Sequence, residues 1–279
     1  MRRVVFNQKG GVGKTSIVCN LAAAMVEKGQ KVLVVDLDSQ ANSSQYLLGS
    51  HNVNFEDTIA DFFSATLSFS LFKDSLRKCM YQTEYDGLFV IPADDSLKDL
   101  QPKLEGRYKI FKLREAVDLL EEEMGFDQIL FDTPPAMNFY TMSALMAADS
   151  VLVPFDCDAF SADAITHVQR NVQEIAEDHR PQLAIEGVVI NHFQAQAKLP
   201  AKAIADLKEQ GLPILEPYLS SSVIMKESHG LGVPLPFLKP SHKLSKEFDL
   251  LATSLIGGVK TQTKRPKGAK RLNSAESVQ

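Results

Sequence analysis

A glycine-rich turn near the N-terminus, GGVGKT at residues 10–15, combines residue types that bind phosphate. Its glycines allow consecutive backbone N–H groups to turn inward onto an anion. Lys14 supplies a positive charge for the outer phosphates of a nucleotide, and the Thr15 hydroxyl is a suitable ligand for Mg²⁺. The turn therefore predicts a site for a nucleoside triphosphate with magnesium. A second lysine, Lys9, precedes the glycines and has no place in this simple scheme.

The flanking segments match the structure that such a loop requires, which is a strand before it and a helix after it. Farther along the chain, apolar strands alternate with amphipathic helices, and this alternation predicts an α/β fold whose mostly parallel sheet carries helices on both faces. The predicted strands are RRVVF, KVLVVDLD, GLFVIPA, FDQILFDTPP, SVLVPF and LAIEGVVINHF. The predicted helices are SIVCNLAAAMVEKG with Gly29 as its C-cap, KIFKLREAVDLLEEEMG, SADAITHVQRNVQEIAEDH with Ser161 as its N-cap, and SKEFDLLATSLIG. Residues 57–84 are expected to be helical or irregular, as an insertion.

Polar side chains follow several of these strands. Asp38, Asp132 and Asn191 each come at or just after the carboxyl end of a predicted strand, as the glycine turn does. Ligands of open parallel sheets bind at this edge, so these residues are expected to share one site with the loop.

Composition and charge limit the classes of protein. The chain has 279 residues, 44% of them hydrophobic, and a net charge of −5. No apolar run is long enough to span a membrane, and the N-terminus lacks the pattern of a signal peptide. The three cysteines, Cys19, Cys79 and Cys157, are far apart and are expected to be reduced thiols in a cytoplasmic protein.

The charge is unevenly distributed along the chain. Residues 260–279 carry a net charge of +5, so the remainder carries −10. This tail lacks apolar periodicity, and we expect a domain over residues 1–259 followed by a basic disordered tail over 260–279. The basic residues of the tail are Lys260, Lys264, Arg265, Lys267, Lys270 and Arg271.

The order K-G-G-V-G-K-T resembles the deviant Walker A motif of the ParA/MinD superfamily of P-loop NTPases. The resemblance implies that Lys9 reaches across a dimer interface to the nucleotide of the partner, so that ATP holds the dimer together. It also implies that the phosphates are bound by the loop residues Lys9, Gly10, Gly11, Val12, Gly13, Lys14, Thr15 and Ser16.

Later segments resemble other motifs of the same superfamily. In DLDSQANSSQYL, Asp38 matches the switch carboxylate that positions the attacking water and senses Mg²⁺, although Ser39 and Ala41 replace the usual proline and glycine. In ILFDTPPAMNFY, Asp132 matches the Walker B aspartate. The resemblance implies catalytic roles for Lys9, Lys14 and Asp38, a Mg²⁺ site at Thr15, Asp38 and Asp132, and adenine contacts from Asn191, Pro234 and Pro236.

Within the superfamily, SALMAADSVLVP resembles a segment of partition ATPases. The tail has no apolar face of the kind that anchors MinD to membranes, and the second switch lacks the cysteines of iron–sulfur relatives. The resemblance therefore implies a ParA-like ATPase that forms a homodimer with ATP and has an activating protein partner, with slow turnover without that partner. The segment that matches the superfamily's arginine-rich DNA-binding stretch reads SSSVIMKES here. Two alternatives follow: the protein is an orphan member that positions another cargo, or it binds DNA and the nucleoid through its tail. The alternative functions are an ATP-dependent ligase of the cobyrinate amidoligase type and an ATP-regulated scaffold.

Overall fold

The computed structural model describes residues 1–49, 55–68, 76–156, 161–194 and 198–258. The eight strands in these ranges form one sheet, in the order β3-β4-β2-β5-β1-β6-β7-β8. All neighbouring pairs are parallel except β3 and β4. The strands are β1 (Arg2–Val5), β2 (Val32–Asp36), β3 (Tyr81–Gln82), β4 (Leu88–Ile91), β5 (Gln128–Asp132), β6 (Ser150–Asp156), β7 (Ala184–Asn191) and β8 (Ile214–Leu215).

Helices cover both faces of the sheet, and each face has its own apolar core. One core packs α3 to α8 against the sheet, and the other packs α1, α2 and α9 to α11. The helices are α1 (Lys14–Val26), α2 (Asn42–Leu48), α3 (Ile59–Thr66), α4 (Leu97–Glu105), α5 (Lys112–Met124), α6 (Phe139–Ala147), α7 (Ser161–Asp178), α8 (Lys198–Glu209), α9 (Ile224–Leu231), α10 (Leu235–Leu238) and α11 (Lys243–Gly257). The predicted α/β class is confirmed, and none of the described helices is long and apolar enough to cross a membrane.

The central strands are apolar on both faces because helices bury both sides. Val4 of β1 faces the first core and Val5 the second, and every residue of β2 and β5 is buried. Since β1 lies between β5 and β6, its carboxyl end and the loop that follows it are at the middle of the sheet. This position places the glycine-rich turn among the ends of β5, β6 and β7.

Two details differ from the sequence-based expectations, and others lie outside the described residues. The segment 57–84 contains helix α3, a 3-10 turn at Leu76–Cys79 and the edge strand β3, so it extends the sheet and is not wholly helical or irregular. Helix α1 ends at Val26 with Glu27 as its C-cap, and Gly29 is a left-handed residue just beyond. Helix α7 begins at Ser161, but the side chain of this residue, Cys157 and the whole tail lie outside the described residues.

Candidate nucleotide-binding site

The loop between β1 and α1 has the backbone conformation that phosphate binding requires. Gly11 and Gly13 have φ angles of 77° and 86°, in the left-handed region that favours glycine. A Cβ at Gly13 would also lie 2.3 Å from Nδ2 of Asn191, so glycine is required there for two independent reasons. Gly10 and Gly11 are exposed, and α1 begins at Lys14, so the free N–H groups of its first turn face the loop.

Lys14 is held at the centre of this loop. Its Nζ donates to the backbone oxygens of Asn7, at 3.0 Å, and Lys9, at 3.3 Å. Burial lowers the pKa of Lys14, whereas the carboxylates of Asp132 and Asp38 raise it. A cation buried against carbonyl oxygens is poorly compensated, and phosphate oxygens at the same place would supply the missing negative charge.

Asp132, the last residue of β5, joins the loop to the segment after β2. Its Oδ2 accepts hydrogen bonds from Thr15 Oγ1, at 2.7 Å, and from Ser43 Oγ. Its Oδ1 is buried and has no hydrogen-bond partner among the described residues. Burial raises the pKa of Asp132. A buried carboxylate oxygen without a partner, beside a threonine hydroxyl, fits a hydrated Mg²⁺, which favours oxygen ligands and retains several waters.

The segment after β2 is anchored by a second buried carboxylate. Asp36 accepts hydrogen bonds from the backbone N–H groups of Ser44, at 2.9 Å, and Asp38, at 3.1 Å, and from Ser44 Oγ, at 2.7 Å. Burial raises the pKa of Asp36 as well. Asp38 itself is half-buried, and its Oδ1 accepts from the N–H of Gln40. The turn thus keeps the Asp38 carboxylate on the side of Lys14 and Asp132, whose pKa values it influences.

Lys9 lies half-buried at the start of the loop. Its N–H donates to Oδ1 of Asn7 at 2.9 Å, and its carbonyl oxygen accepts from Nζ of Lys14. Asn7 in turn donates to the carbonyl of Pro154 in β6, at 2.8 Å. The backbone at Lys9 is therefore fixed by the sheet, and its contact with a partner's nucleotide stays a prediction.

The three residues predicted to contact adenine lie on two flanks of the loop. Asn191 donates to the carbonyl of Val12 at 2.9 Å and so supports the loop directly. Pro234 and Pro236 are buried beside α1, where the N–H of Leu235 donates to Oδ1 of Asn20 at 2.7 Å. Its contact gives Asn191 a structural role, and contact of all three residues with a base stays a prediction.

Several residues of the site were not singled out from the sequence. Ser43 and Ser44 lie within the quoted switch segment, but only the structure shows which carboxylate each one serves. Asp36 lies two residues before Asp38. Its place at the end of the apolar run of β2 was the available signal in the sequence. His229, whose Nε2 lies 3.0 Å from Ser16 Oγ, had no recognisable signal because it is 213 residues away.

Replacing Asp132 with asparagine should stabilise the nucleotide-free protein at pH 8 but not at pH 4. The folded state raises the pKa of Asp132 from 3.8 to about 6, so its ionised form opposes folding above that pH, and the effect disappears as pH falls towards 3.8. The loss of a carboxylate neighbour by Lys14 offsets part of this effect. We therefore expect the free energy of unfolding to rise by about 1–2 kcal/mol at pH 8. Urea unfolding at a series of pH values measures this gain, and Asp95→Asn, at an exposed residue, is the control. A gain of the same size at pH 4 and pH 8 would contradict the prediction.

Comparisons with known proteins agree with this geometry. Residues 3–185 match the AAA_31 family, described as an AAA domain. The chromosome partitioning protein ParA of Caulobacter vibrioides is 29% identical over 233 residues, which are 83% of this chain and 84% of that protein. The structure is similar to an ATP complex of a McdA variant from Cyanothece, with a TM-score of 0.78, 25% identity and coverage of 94% and 98% of the two chains.

A third protein shares the fold at lower identity. Cobyrinic acid a,c-diamide synthase from Mycobacterium smegmatis, with a bound ATP analog and magnesium, has a TM-score of 0.78 and 22% identity, covering 96% of this chain and 99% of its own. At this identity the likeness concerns the fold alone. The family match covers more than half of the chain, including the phosphate loop, Asp38 and Asp132. The chain therefore belongs to the AAA_31 family and is a P-loop ATPase of the ParA/MinD superfamily.

Proposed function

We propose that this protein is an ATP-dependent dimerising switch of the ParA type that partitions or positions DNA or another large cargo. The observation that carries the proposal is the pair of lysines in one phosphate loop. Lys14 is buried at its centre, and Lys9 lies at its entrance with a backbone fixed by Asn7. We propose that Lys14 serves the nucleotide bound by the same chain and that Lys9 reaches a nucleotide bound by a second copy.

The surrounding residues support binding and hydrolysis of Mg·ATP. Thr15 and Asp132 would hold the metal, with Asp38 sensing it, and bound Mg²⁺ would offset the negative charge of the phosphates. Lys14 orients the outer phosphates. Asp38, half-buried on a turn anchored by Asp36, orients the attacking water and accepts its proton. Turnover is slow until an activating partner completes the site.

The relatives favour partition over ligation. The proteins that share 28–29% identity with this chain include ParA of Caulobacter vibrioides and Soj of Bacillus subtilis, whereas the cobyrinic acid synthase shares only the fold. A ligase needs a small carboxylic acid as co-substrate, but a switch changes its assembly with ATP alone. Dimerisation with Mg·ATP in the absence of any small acid therefore distinguishes the two functions.

The wild-type protein should sediment as a dimer with Mg·ATP and as a monomer or weak dimer with Mg·ADP. A triphosphate on each facing loop places strong negative charge at the interface, and a cation supplied by the other chain compensates it. Sedimentation velocity at several protein concentrations measures the difference. The same assembly with both nucleotides contradicts the proposed switch.

The basic tail, residues 260–279, is proposed to bind DNA without sequence preference and thereby to place this cytoplasmic protein on the nucleoid. One tail would bind weakly, with a Kd of about 10⁻⁴–10⁻⁶ M, and an ATP dimer would bind more tightly through two tails. The acidic remainder of the chain repels DNA, but cellular salt screens this repulsion beyond about 8–10 Å.

A chain that ends at Val259 should lose ATP-stimulated DNA binding and its steep salt dependence. The loss follows from removal of all six basic residues between Lys260 and Arg271. DNA binding with ATP across a salt series compares the two chains. Equal binding by both would place the DNA site on the remaining domain, near Lys226, and no binding by either would exclude DNA as a partner.

A further inference from the structure

His229, near the end of α9, contacts α1 beside the phosphate loop, although α9 is not part of the proposed nucleotide site. Its Nε2 lies 3.0 Å from Oγ of Ser16. Ser16 is the third residue of α1, in the turn whose N-terminal end faces the phosphate site. Side chains of this turn therefore lie where a phosphate oxygen would bind, and one of these side chains, Ser16, is within hydrogen-bond distance of His229.

The imidazole is also fixed to the helix that follows the Asp38 turn. Its ring centroid lies 4.4 Å from that of Tyr46 in α2, at an interplanar angle of 49°. The hydroxyl of Tyr46 is hydrogen-bonded to Oγ of Ser228, the residue before His229. Two consecutive residues of α9 thus contact one tyrosine of α2, so a displacement of either helix is felt by the other.

A buried asparagine closes this network on α1. Nδ2 of Asn20 donates to the carbonyl of Ser16, at 2.8 Å, and to the hydroxyl of Tyr46, at 3.2 Å. Oγ of Ser228 donates to the carbonyl of Val233 at 2.6 Å, which fixes the end of α9. Asn20 and Ser228 are fully buried. Such a network tolerates few alternative arrangements because an unmade hydrogen bond in it would be costly.

Tyr46 and His229 also border a cavity. It has a volume of about 330 Å³ and is lined by Thr15, Asn42, Gln45, Tyr46 and His229. His229 therefore lies on the wall of a space that reaches the proposed magnesium ligand Thr15. Packing of the imidazole against protein lowers its pKa, although part of the residue is still exposed, so the neutral ring is favoured as the partner of a hydroxyl.

We infer that His229 is a positioning residue: its Nε2 sets the Ser16 hydroxyl at the phosphate end of α1, and its ring joins that hydroxyl to α2. The inference rests on the proposed binding of ATP at this loop. It assigns to α9 a part in nucleotide affinity, through Ser16 and without contact between His229 and the reacting atoms. It also means that the His229 side chain couples nucleotide binding beside Ser16 to the position of α2.

Two substitutions separate the hydrogen bond from the ring contact. His229→Phe retains a ring against Tyr46 but removes the nitrogen, whereas His229→Gln retains a hydrogen-bonding group but removes the ring. Loss of one hydrogen bond predicts that His229→Phe weakens Mg·ATP binding about three- to tenfold, and that His229→Gln retains more of the wild-type affinity. A role in packing alone predicts the reverse order. Thermal unfolding without nucleotide identifies any variant that has lost its fold, in which case the other variant decides.

A double-mutant cycle tests whether His229 acts through Ser16. In a Ser16→Ala background, His229→Phe should have no further effect on the dissociation constant for Mg·ATP, measured with a fluorescent ATP analogue. An equal loss in both backgrounds, or wild-type affinity for His229→Phe, overturns the inference. These results leave the proposed function intact, because that function is tested on the wild-type protein, by its binding of Mg·ATP and by its nucleotide-dependent assembly.

Discussion

Replacement of Lys14 with alanine should reduce the affinity for Mg·ATP by at least about 100-fold. Nζ of Lys14 is buried among carbonyl oxygens, where burial lowers its pKa and leaves its charge poorly compensated until phosphate arrives. A charge-assisted contact in such a place contributes about 1.5–3 kcal/mol, and Lys14 would contact more than one phosphate oxygen. Titration of a fluorescent ATP analogue, with and without Mg²⁺, measures the loss.

Lys28→Ala is the matched control for this experiment. Lys28 lies just beyond the far end of α1, where its Nζ forms a 2.5 Å salt bridge with a largely exposed Asp249. The substitution removes the same charge from the same region of sequence but away from the phosphates. It should leave ATP affinity unchanged within about twofold, since exposed ion pairs contribute little. Wild-type affinity in Lys14→Ala would refute the phosphate-binding role of the loop.

The main features of the fold were predictable because they follow from periodicity. Apolar strands such as β2 and β5 are buried on both faces, and only a covered, mostly parallel sheet satisfies them. The short edge strands β3 and β8 were not predictable, because two residues are too few to show a periodic apolar pattern. The buried Arg3 is another such case, since its partner Glu186 is 183 residues away.

The same distinction applies to the candidate site. The proximity of the loop residues and Asp132 was predictable, because both lie at the carboxyl ends of parallel strands. The partners Ser43 and His229 were not predictable. They contact residues 89 and 213 positions away in sequence, and such contacts exist only in the folded chain. The convergence expected for Asp132 and Asn191 is observed, since both contact residues of the phosphate loop.

Ala41 shows what a departure from a family pattern means physically. The sequence has alanine where the superfamily usually has glycine, and the structure places this residue in the left-handed region, with φ of 53°. Alanine there costs about 1–2 kcal/mol relative to an ordinary conformation. The surrounding contacts hold the turn in spite of this, because its N–H donates to the carbonyl of Asp38 and Asp36 anchors the residues on either side.

The two charged residues Lys9 and Asp38 should have opposite effects on assembly. Lys9→Ala should bind Mg·ATP nearly as the wild type does, because Lys14 supplies the cation within each chain, yet it should sediment as a monomer. The missing cation leaves the facing phosphates uncompensated, and we expect the dimer to weaken by at least about 100-fold, as for other buried charge pairs at interfaces. Asp38→Ala should hydrolyse ATP about 100-fold more slowly or worse, and should therefore persist as the ATP dimer.

Sedimentation of Lys9→Ala, Asp38→Ala and the wild type with Mg·ATP distinguishes these roles, with Lys28→Ala as the charge control. Measured ATP affinity is needed alongside, since a Lys9→Ala protein that cannot bind nucleotide says nothing about the interface. The double variant Lys9→Ala/Asp38→Ala gives the most decisive test. If Lys9 acts across the interface, slowing hydrolysis cannot restore a dimer that lacks its cation, so the double variant should be monomeric. A dimeric double variant, or a Lys9→Ala protein that dimerises with wild-type affinity, would show that Lys9 acts only within its own chain.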